Sequence, residues 1–290
     1  MLHLLIGTDW KENRQKVLQL ITEDISKERS GRVLMVPELV SHDTERRLAE
    51  KAGDTACRYA EVLPFSRLGR RVAERAGCPS VECLDNGGRV VAMAATTRQL
   101  HSKLKAYAAV ENRPEFLNGL LDAVDEFKRC CISPSDLQKA SSRTEGAFAQ
   151  KLEELALIYE TYDAITARGK RDPRDQMTWV LEQMEATDFA ESHVFYIDGF
   201  PDFSRQHYAI VEHLILNSPN VTVSLTCDTP GSSALAFDRA GKTAADLLSL
   251  ARSNGIEIKV EIVQPADTPL NNMCLKLLEG NLDNVSSLSK

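Results

Sequence analysis

The sequence predicts an α/β fold in which a parallel sheet carries helices on both faces. Six short runs are rich in apolar residues, and the best are almost continuously apolar, as strands covered on both faces are. Helical patterns separate these runs, and strands alternating with helices are typical of a doubly wound sheet. With 290 residues, 43% of them apolar, the chain is long enough to bury a large core.

The predicted strands and helices follow one another along both ends of the chain. The strands are His3–Gly7, Arg32–Pro37, Tyr59–Leu63, His193–Phe200, Val221–Asp228 and Glu257–Val263. Helices with one apolar face are predicted over Asn13–Arg29, Phe203–Leu216 and Lys242–Ser253. The Gly241-Lys242-Thr243 triplet lacks the upstream glycine of a phosphate-binding loop and is expected to open the last of these helices.

The middle of the chain, residues 88–190, has no convincing strand pattern. Apolar stripes suggest two helices in it, one carrying Phe116, Leu117, Leu120, Leu121, Val124 and Phe127, the other Phe148, Leu152, Leu155, Tyr159 and Tyr162 on one face. Pro114, Pro134 and Pro173 fit helix starts. We therefore predict an α/β core formed by residues 1–87 and 191–280, a helical insertion subdomain over 88–190 and a flexible tail over 281–290. The polar end, without a closing element, suggests a piece of a longer protein.

Charge and cysteine usage exclude several classes of protein. A net charge of −7 disfavours a free-standing protein that coats DNA non-specifically, although a local basic groove is compatible with it. No apolar run could span a bilayer, and Met1–Gly7 lacks the features of a signal peptide. The seven cysteines include no CxxC pair, so we expect free thiols in a reducing cytoplasm and no metal site.

The first strand leads into what resembles a degenerate phosphate loop. A working loop has the pattern G-x-x-x-x-G-K-[ST], in which glycine backbone and lysine hold phosphates and Ser/Thr holds magnesium. Here the candidate residues are Gly7, Thr8, Asp9, Glu12, Asn13 and Arg14. Only Gly7 fits, since Glu12, Asn13 and Arg14 replace the second glycine, the lysine and the Ser/Thr. Taken alone, these residues favour a plain strand–helix connection.

The apolar strand that ends at Asp198-Gly199 predicts a vestigial metal position. In nucleotide-hydrolysing folds an acid at such a strand end holds magnesium, and a following glutamate orients the attacking water. Asp198 occupies the first position, but Gly199 stands where the glutamate would be. A turn or a helix cap at Asp198 is an equally good interpretation. We find no nucleophile elbow or HExxH motif, so no catalytic residue is predicted.

Several phrases, in order, resemble the N-terminal helicase-like region of the B subunit of the AddAB (RexAB) ATP-dependent helicase–nuclease. They are Val36–Leu48, Pro64–Val72, Leu121–Leu137, Lys151–Tyr162, Phe195–Leu214 and Arg239–Ala251. The FSRL and DGFxxF phrases are the most specific, and the resemblance covers nearly the whole chain.

The resemblance implies a P-loop NTPase-like (RecA-like) domain of superfamily 1 with a helical insertion. It also implies a heterodimer with an A subunit that carries the motor, and work on DNA at double-strand breaks. In that family the helicase-like half of the B subunit holds DNA and helps to recognise the Chi sequence without translocating. The departures at Glu12, Asn13 and Arg14 lead us to expect no cofactor, with ATP and magnesium only if the degenerate loop still binds them.

Basic residues supply the candidate DNA contacts, to single strands or duplex ends. They are Arg67, Arg70 and Arg71 after the third strand, and Lys103 and Lys105 in the insertion. A solvated helix face is the alternative interpretation of each. Three functions stay open: a non-catalytic domain that binds DNA and its partner subunit, a divergent ATP-dependent helicase domain, and a purely structural interaction module.

Overall fold

A computed structural model describes residues 1–77, 82–107 and 113–278 of the chain. Their strands form one six-stranded, all-parallel sheet in the order β3-β2-β4-β5-β1-β6. The strands are β1 (Leu2–Gly7), β2 (Arg32–Met35), β3 (Ala60–Leu63), β4 (Val194–Ile197), β5 (Val221–Thr226) and β6 (Ile258–Ile262). All six predicted runs are strands, so the predicted α/β class is confirmed. The arrangement is consistent with a P-loop NTPase-like fold.

Eleven α-helices occur in the same described residues. They are α1 (Trp10–Ser26), α2 (Ser41–Ala52), α3 (Phe65–Ala76), α4 (Asn86–Leu100), α5 (Pro114–Arg129), α6 (Pro134–Ser141), α7 (Gly146–Thr166), α8 (Gln176–Glu185), α9 (Arg205–Asn217), α10 (Asp238–Ser253) and α11 (Pro269–Leu278). Pro114 and Pro134 open helices as predicted, because proline's missing N–H costs nothing at the first helical position.

Two helices begin three or more residues before their predicted starts. Asp9 caps α1: its carboxylate accepts a hydrogen bond from the Lys11 backbone N–H at 2.9 Å, so the helix starts at Trp10 instead of Asn13. The prediction that Gly241 opens α10 is wrong, since that helix begins at Asp238. Helical periodicity marks the buried face of a helix but does not fix the residue at which its first turn begins.

The chain divides into two compact units. Among the described residues, the α/β unit comprises Met1–Arg71, Met184–Phe203 and those from Ile210 onward, and the helical unit comprises those within Val72–Gln183 together with Ser204–Ala209. In the α/β unit, side chains of the sheet pack against α1 in a core that includes Leu5, Ile21, Leu34 and Tyr196. At the sheet's edge, by contrast, Val260 and Ile262 of β6 stay 46% and 66% exposed.

The helical unit has its own apolar core and, in its described residues, no β-strand. Met93, Leu120, Ile158 and Tyr162 from three helices meet in this core. Phe148, the first residue of the predicted apolar stripe, lies in the first turn of α7 and is 60% exposed, so the stripe extends beyond the core there.

A buried ion-pair cluster joins α4 and α5 to the segment before α8. Arg89 pairs with Asp125 and Asp172, and Lys128 Nζ lies 3.4 Å from Asp172 and 2.7 Å from Asp175. Asp172 has no exposed surface, and the Lys128 side chain is 2% exposed. Charges so deeply buried are tolerated because they are paired, and removing one partner is expensive.

No helix in the described residues is long and apolar enough to cross a membrane. The predicted tail over 281–290 and Cys78 lie outside the described residues. None of the six cysteines in the described residues forms a disulfide.

Candidate functional site

The degenerate phosphate loop and Asp198 come together at the carboxyl edge of the sheet. Gly7 ends β1 and Asp198 follows β4, with β5 lying between these two strands. The Asp198 backbone N–H donates to the Met35 carbonyl at 3.0 Å, which continues the β2–β4 pairing by one residue. Ligands of open parallel sheets bind outside this edge, so both sequence-predicted elements lie where a nucleotide site is expected.

Asn13, at the position of the phosphate-binding lysine, turns inward. Its side chain is buried, and its Nδ2 donates to the backbone carbonyls of Gly7 and Leu225 at 3.1 Å each. The amide therefore ties α1 to the ends of β1 and β5. A Cβ at Gly7 would collide with the Asn13 amide oxygen and would lie 2.7 Å from the Val263 carbonyl oxygen. Glycine is therefore needed at position 7 to make room for the Asn13 side chain. Because Asn13 turns inward, it cannot contact a phosphate as the lysine of a working loop does.

Arg14, at the position of the magnesium-binding Ser/Thr, forms an ion pair with Asp198. The Arg14 Nε lies 2.7 Å from Asp198 Oδ2, and the two side chains are only 12% and 6% exposed. Gly199 has φ +85°, and a Cβ there would lie 3.0 Å from Arg14 Nη2, so glycine lets the guanidinium approach. The guanidinium also lies 5.4 Å from the centre of the Trp10 ring. A fixed organic cation thus pairs with the strand-end acid at which the sequence predicts a vestigial metal position.

The Asp9 side chain, another polar group of the loop, also makes its hydrogen bonds within the protein. The Asp9 carboxylate accepts hydrogen bonds from the Lys11 backbone N–H and from Asn271 Nδ2, each at 2.9 Å. Thr8 and Glu12 are half-buried beside it. The loop thus carries two acids, Asp9 and Glu12, and carboxylates would repel a polyphosphate. The residues do not fit a magnesium–nucleoside triphosphate, for want of a second glycine, a lysine and a Ser/Thr.

The three candidate DNA-binding arginines line one cavity beside the edge strand β3. Arg67, Arg70 and Arg71 all belong to α3, and the cavity has a volume of about 410 Å³. The Arg71 Nε donates to the Glu61 carboxylate at 2.6 Å, while Arg67 Nη2 lies 3.5 Å from the Ser41 hydroxyl. The structure thus gathers these three arginines in the lining of one cavity, where Arg71 is held by Glu61.

Three phenylalanines form an aromatic cluster that sequence reasoning missed as site residues, and one of them, Phe65, lies two positions before Arg67 in the chain. The Phe65 ring lies 5.4 Å from that of Phe200 and 6.4 Å from that of Phe203, edge to face. Phe65 is buried, but Phe200 and Phe203 are half-buried. They follow β3 and β4, at the same carboxyl edge as Asp198. The FSRL and DGFxxF phrases contain all three and were the available signal.

Lys103 and Lys105 lie in the helical unit, in the turn after α4, whereas the arginines belong to the α/β unit. Both lysine side chains are exposed. The turn is fixed from inside, because the Glu154 carboxylate accepts hydrogen bonds from the Lys105 and Ala106 backbone N–H groups at 2.9 Å. Burial alone would raise the pKa of Glu154, but these backbone hydrogen bonds hold it below its ordinary value.

Comparison with known proteins gives one consistent result. Residues 4–279 match the family model described as ADDB, N-terminal. Proteins named as the B subunit of an ATP-dependent helicase/deoxyribonuclease are similar to this chain. The one from Caldanaerobacter subterraneus subsp. tengcongensis is 28% identical over 78% of this chain and 20% of the relative. The relative from Acetivibrio thermocellus is 28% identical over 80% of this chain and 21% of the relative. The relative from Geobacillus kaustophilus is 27% identical over 96% of this chain and 25% of the relative. The chain spans about a fifth to a quarter of the length of these relatives.

Proposed function

Because the chain belongs to the ADDB N-terminal family, we propose that it is a non-catalytic, helicase-like domain that binds DNA and docks onto a partner subunit. The observation that carries this proposal is the Arg14–Asp198 ion pair at the carboxyl edge of the sheet. This ion pair supports the proposal because nucleotide hydrolysis in such folds uses a metal ion held by an acid at this strand end, and here the acid is paired with an arginine. The buried Asn13 supports it as well, because it occupies the position of the lysine in the phosphate-loop pattern. Nucleotide hydrolysis is then left to another part of the enzyme.

DNA binding is supported by the arginine-lined cavity and by the cluster of Phe65, Phe200 and Phe203. Arginine forks match phosphate oxygens, and half-buried phenylalanines offer faces on which bases can stack. Arg70 is exposed and Arg67 is half-buried, so their guanidinium groups can reach a phosphate. Since the chain's net charge is −7, attraction for DNA has to be local to such a surface.

The partner follows from the names of the relatives. Each is called the B subunit of an ATP-dependent helicase/deoxyribonuclease, so we infer a heterodimer with a helicase–nuclease A subunit that supplies the motor. In this assembly the domain holds DNA, as single strands or duplex ends, during double-strand-break repair in the cytoplasm. Co-purification of an A subunit with the tagged chain from its own cells tests the partner, and recovery of the chain alone would contradict it.

A titration with a fluorescent single-stranded oligonucleotide tests the DNA contact. The Arg67→Ala/Arg70→Ala variant should bind more weakly than the wild type. For each phosphate that the variant no longer neutralises, the slope of log K against log salt should fall by about 0.7. The matched control is Arg46→Ala/Arg47→Ala on α2, which removes the same charge from residues paired with Asp43. Equal losses of affinity in both variants would show a non-specific charge effect and overturn the assignment.

A further inference from the structure

A second cavity, of about 240 Å³, lies beside the start of α1, and we propose that it takes a single nucleobase of a DNA strand, stacked on Trp10. Its walls include Trp10 and Lys11 from α1, and Pro265, Leu270 and Asn271 from the segment after β6. It is distinct from the arginine-lined cavity, with which it shares no residue. Since it needs a DNA strand, this site rests on the DNA-binding part of the proposed function.

Trp10 is the unusual member of this cavity. It is 51% exposed, whereas the chain's other tryptophan, Trp179, is 9% exposed. The fold gains little from a large aromatic ring left half in water. An exposed indole offers a flat apolar face, on which a base of any sequence can stack. The Arg14 guanidinium lies 5.4 Å and the Lys11 ammonium group 5.8 Å from the centre of the Trp10 ring, and both are within the distance of a cation–π interaction.

The other walls are suited to a flat, mostly apolar group with polar edges. Leu270 is 65% exposed, and Pro265 adds a second apolar surface. Asn271 Nδ2 is held by Asp9 and by the Ala266 carbonyl, which fixes the orientation of the amide. The volume is below the range of about 300–1,000 Å³ typical of pockets for drug-sized ligands. One ring system therefore fits better than a complete nucleoside triphosphate.

The charges favour a base carried by a strand over a free triphosphate. Among the described residues that line the cavity, Lys11 is the one cation, and Asp9 is the one acid. Glu12 adds a second acid in the first turn of α1. A DNA strand brings one negative charge per nucleotide, which Lys11 can neutralise, whereas a triphosphate brings several that meet two carboxylates.

Tryptophan fluorescence tests this site directly. In the Trp179→Phe variant of the full chain, Trp10 is the only tryptophan, and stacking of a base should quench its emission. We expect quenching that saturates on addition of a single-stranded oligothymidylate, with no such quenching by magnesium–ATP. Anisotropy of the same labelled oligonucleotide gives the total binding. In the wild-type background, Trp10→Ala should weaken that binding about tenfold, and Trp10→Phe should weaken it less.

Two controls keep the result interpretable. Leu270→Glu leaves Trp10 in place but adds an acid to the cavity wall, so it should also weaken quenching. Phe148→Ala removes an exposed aromatic ring of the helical unit and should change neither signal. If the oligonucleotide binds without quenching Trp10, the base site is overturned while DNA binding stands. If it does not bind at all, the proposed DNA contact fails as well, and quenching by ATP instead would assign the cavity to a free nucleotide.

Discussion

Replacing Arg14 with alanine should destabilise the α/β unit substantially, because the buried Asp198 carboxyl group would lose its partner. The Asp198 side chain is 6% exposed, so water cannot solvate the carboxylate in place of the guanidinium. Removing one member of a buried ion pair costs about 3–5 kcal/mol. For a unit of this size that loss corresponds to a fall in Tm of about 6–20 °C.

Urea unfolding followed by circular dichroism measures this loss. The matched control is Arg46→Ala, because Arg46 pairs with Asp43 while its side chain is 70% exposed, and removing an exposed pair costs about 0–1 kcal/mol. The double variant Arg14→Ala/Asp198→Asn should be more stable than Arg14→Ala alone, since it no longer buries an unpaired charge. The coupling energy from this cycle measures the pair itself.

Two results would refute this reasoning. The first is an Arg14→Ala variant that unfolds at the same urea concentration as Arg46→Ala, since that would mean that Asp198 is solvated or paired elsewhere. The second is a coupling energy of zero between Arg14 and Asp198. Either would remove the basis for treating the guanidinium as a substitute for a metal ion.

Three further changes have defined outcomes. Gly7→Ala should cost about 1–3 kcal/mol in urea unfolding, because the new methyl group would lie 2.7 Å from a backbone carbonyl oxygen. Lys128→Met should cost about 3–5 kcal/mol, since it leaves the fully buried Asp172 with one cation fewer, and a wild-type midpoint would contradict this. A hydrogen bond from Lys16 lowers the pKa of Glu261 to about 2. The contribution of Glu261 to the free energy of unfolding is therefore present above the pKa of about 4.3 that a glutamate has in the unfolded chain, and it is lost as pH falls toward 2. The stability difference between wild type and Glu261→Gln should therefore shrink over that range, and a constant difference would be inconsistent with the shift.

The sheet could be predicted from the sequence because parallel strands covered by helices on both faces are continuously apolar. The run around Phe195 and the run from Val221 both became strands. Helix starts were harder, since the first turn of α1 is polar and its limit is set by the Asp9 cap, a local hydrogen bond that apolar periodicity does not report. The exposure of Phe148 could not be predicted for a related reason, because an apolar stripe along a helix does not show which of its residues lie beyond the core.

The candidate site was only half visible in the sequence. The missing lysine and Ser/Thr could be read directly at Asn13 and Arg14. The contacts that these two residues make instead could not be predicted. Arg14 and Asp198 are 184 positions apart, and only the β2–β4–β5–β1 strand order brings them together. The same holds for Phe65 and Phe200, which meet because β3 and β4 flank β2.

The most direct test of the central claim is calorimetric titration of the chain with magnesium–ATP, beside an ATPase that has an intact phosphate loop. We predict only heats of dilution at millimolar nucleotide, because Asn13 and Arg14 occupy the places of the lysine and the Ser/Thr and Asp198 is already paired. A saturable, magnesium-dependent heat at one site per chain would contradict the account, since it would show that the loop can release Arg14 and hold a nucleotide.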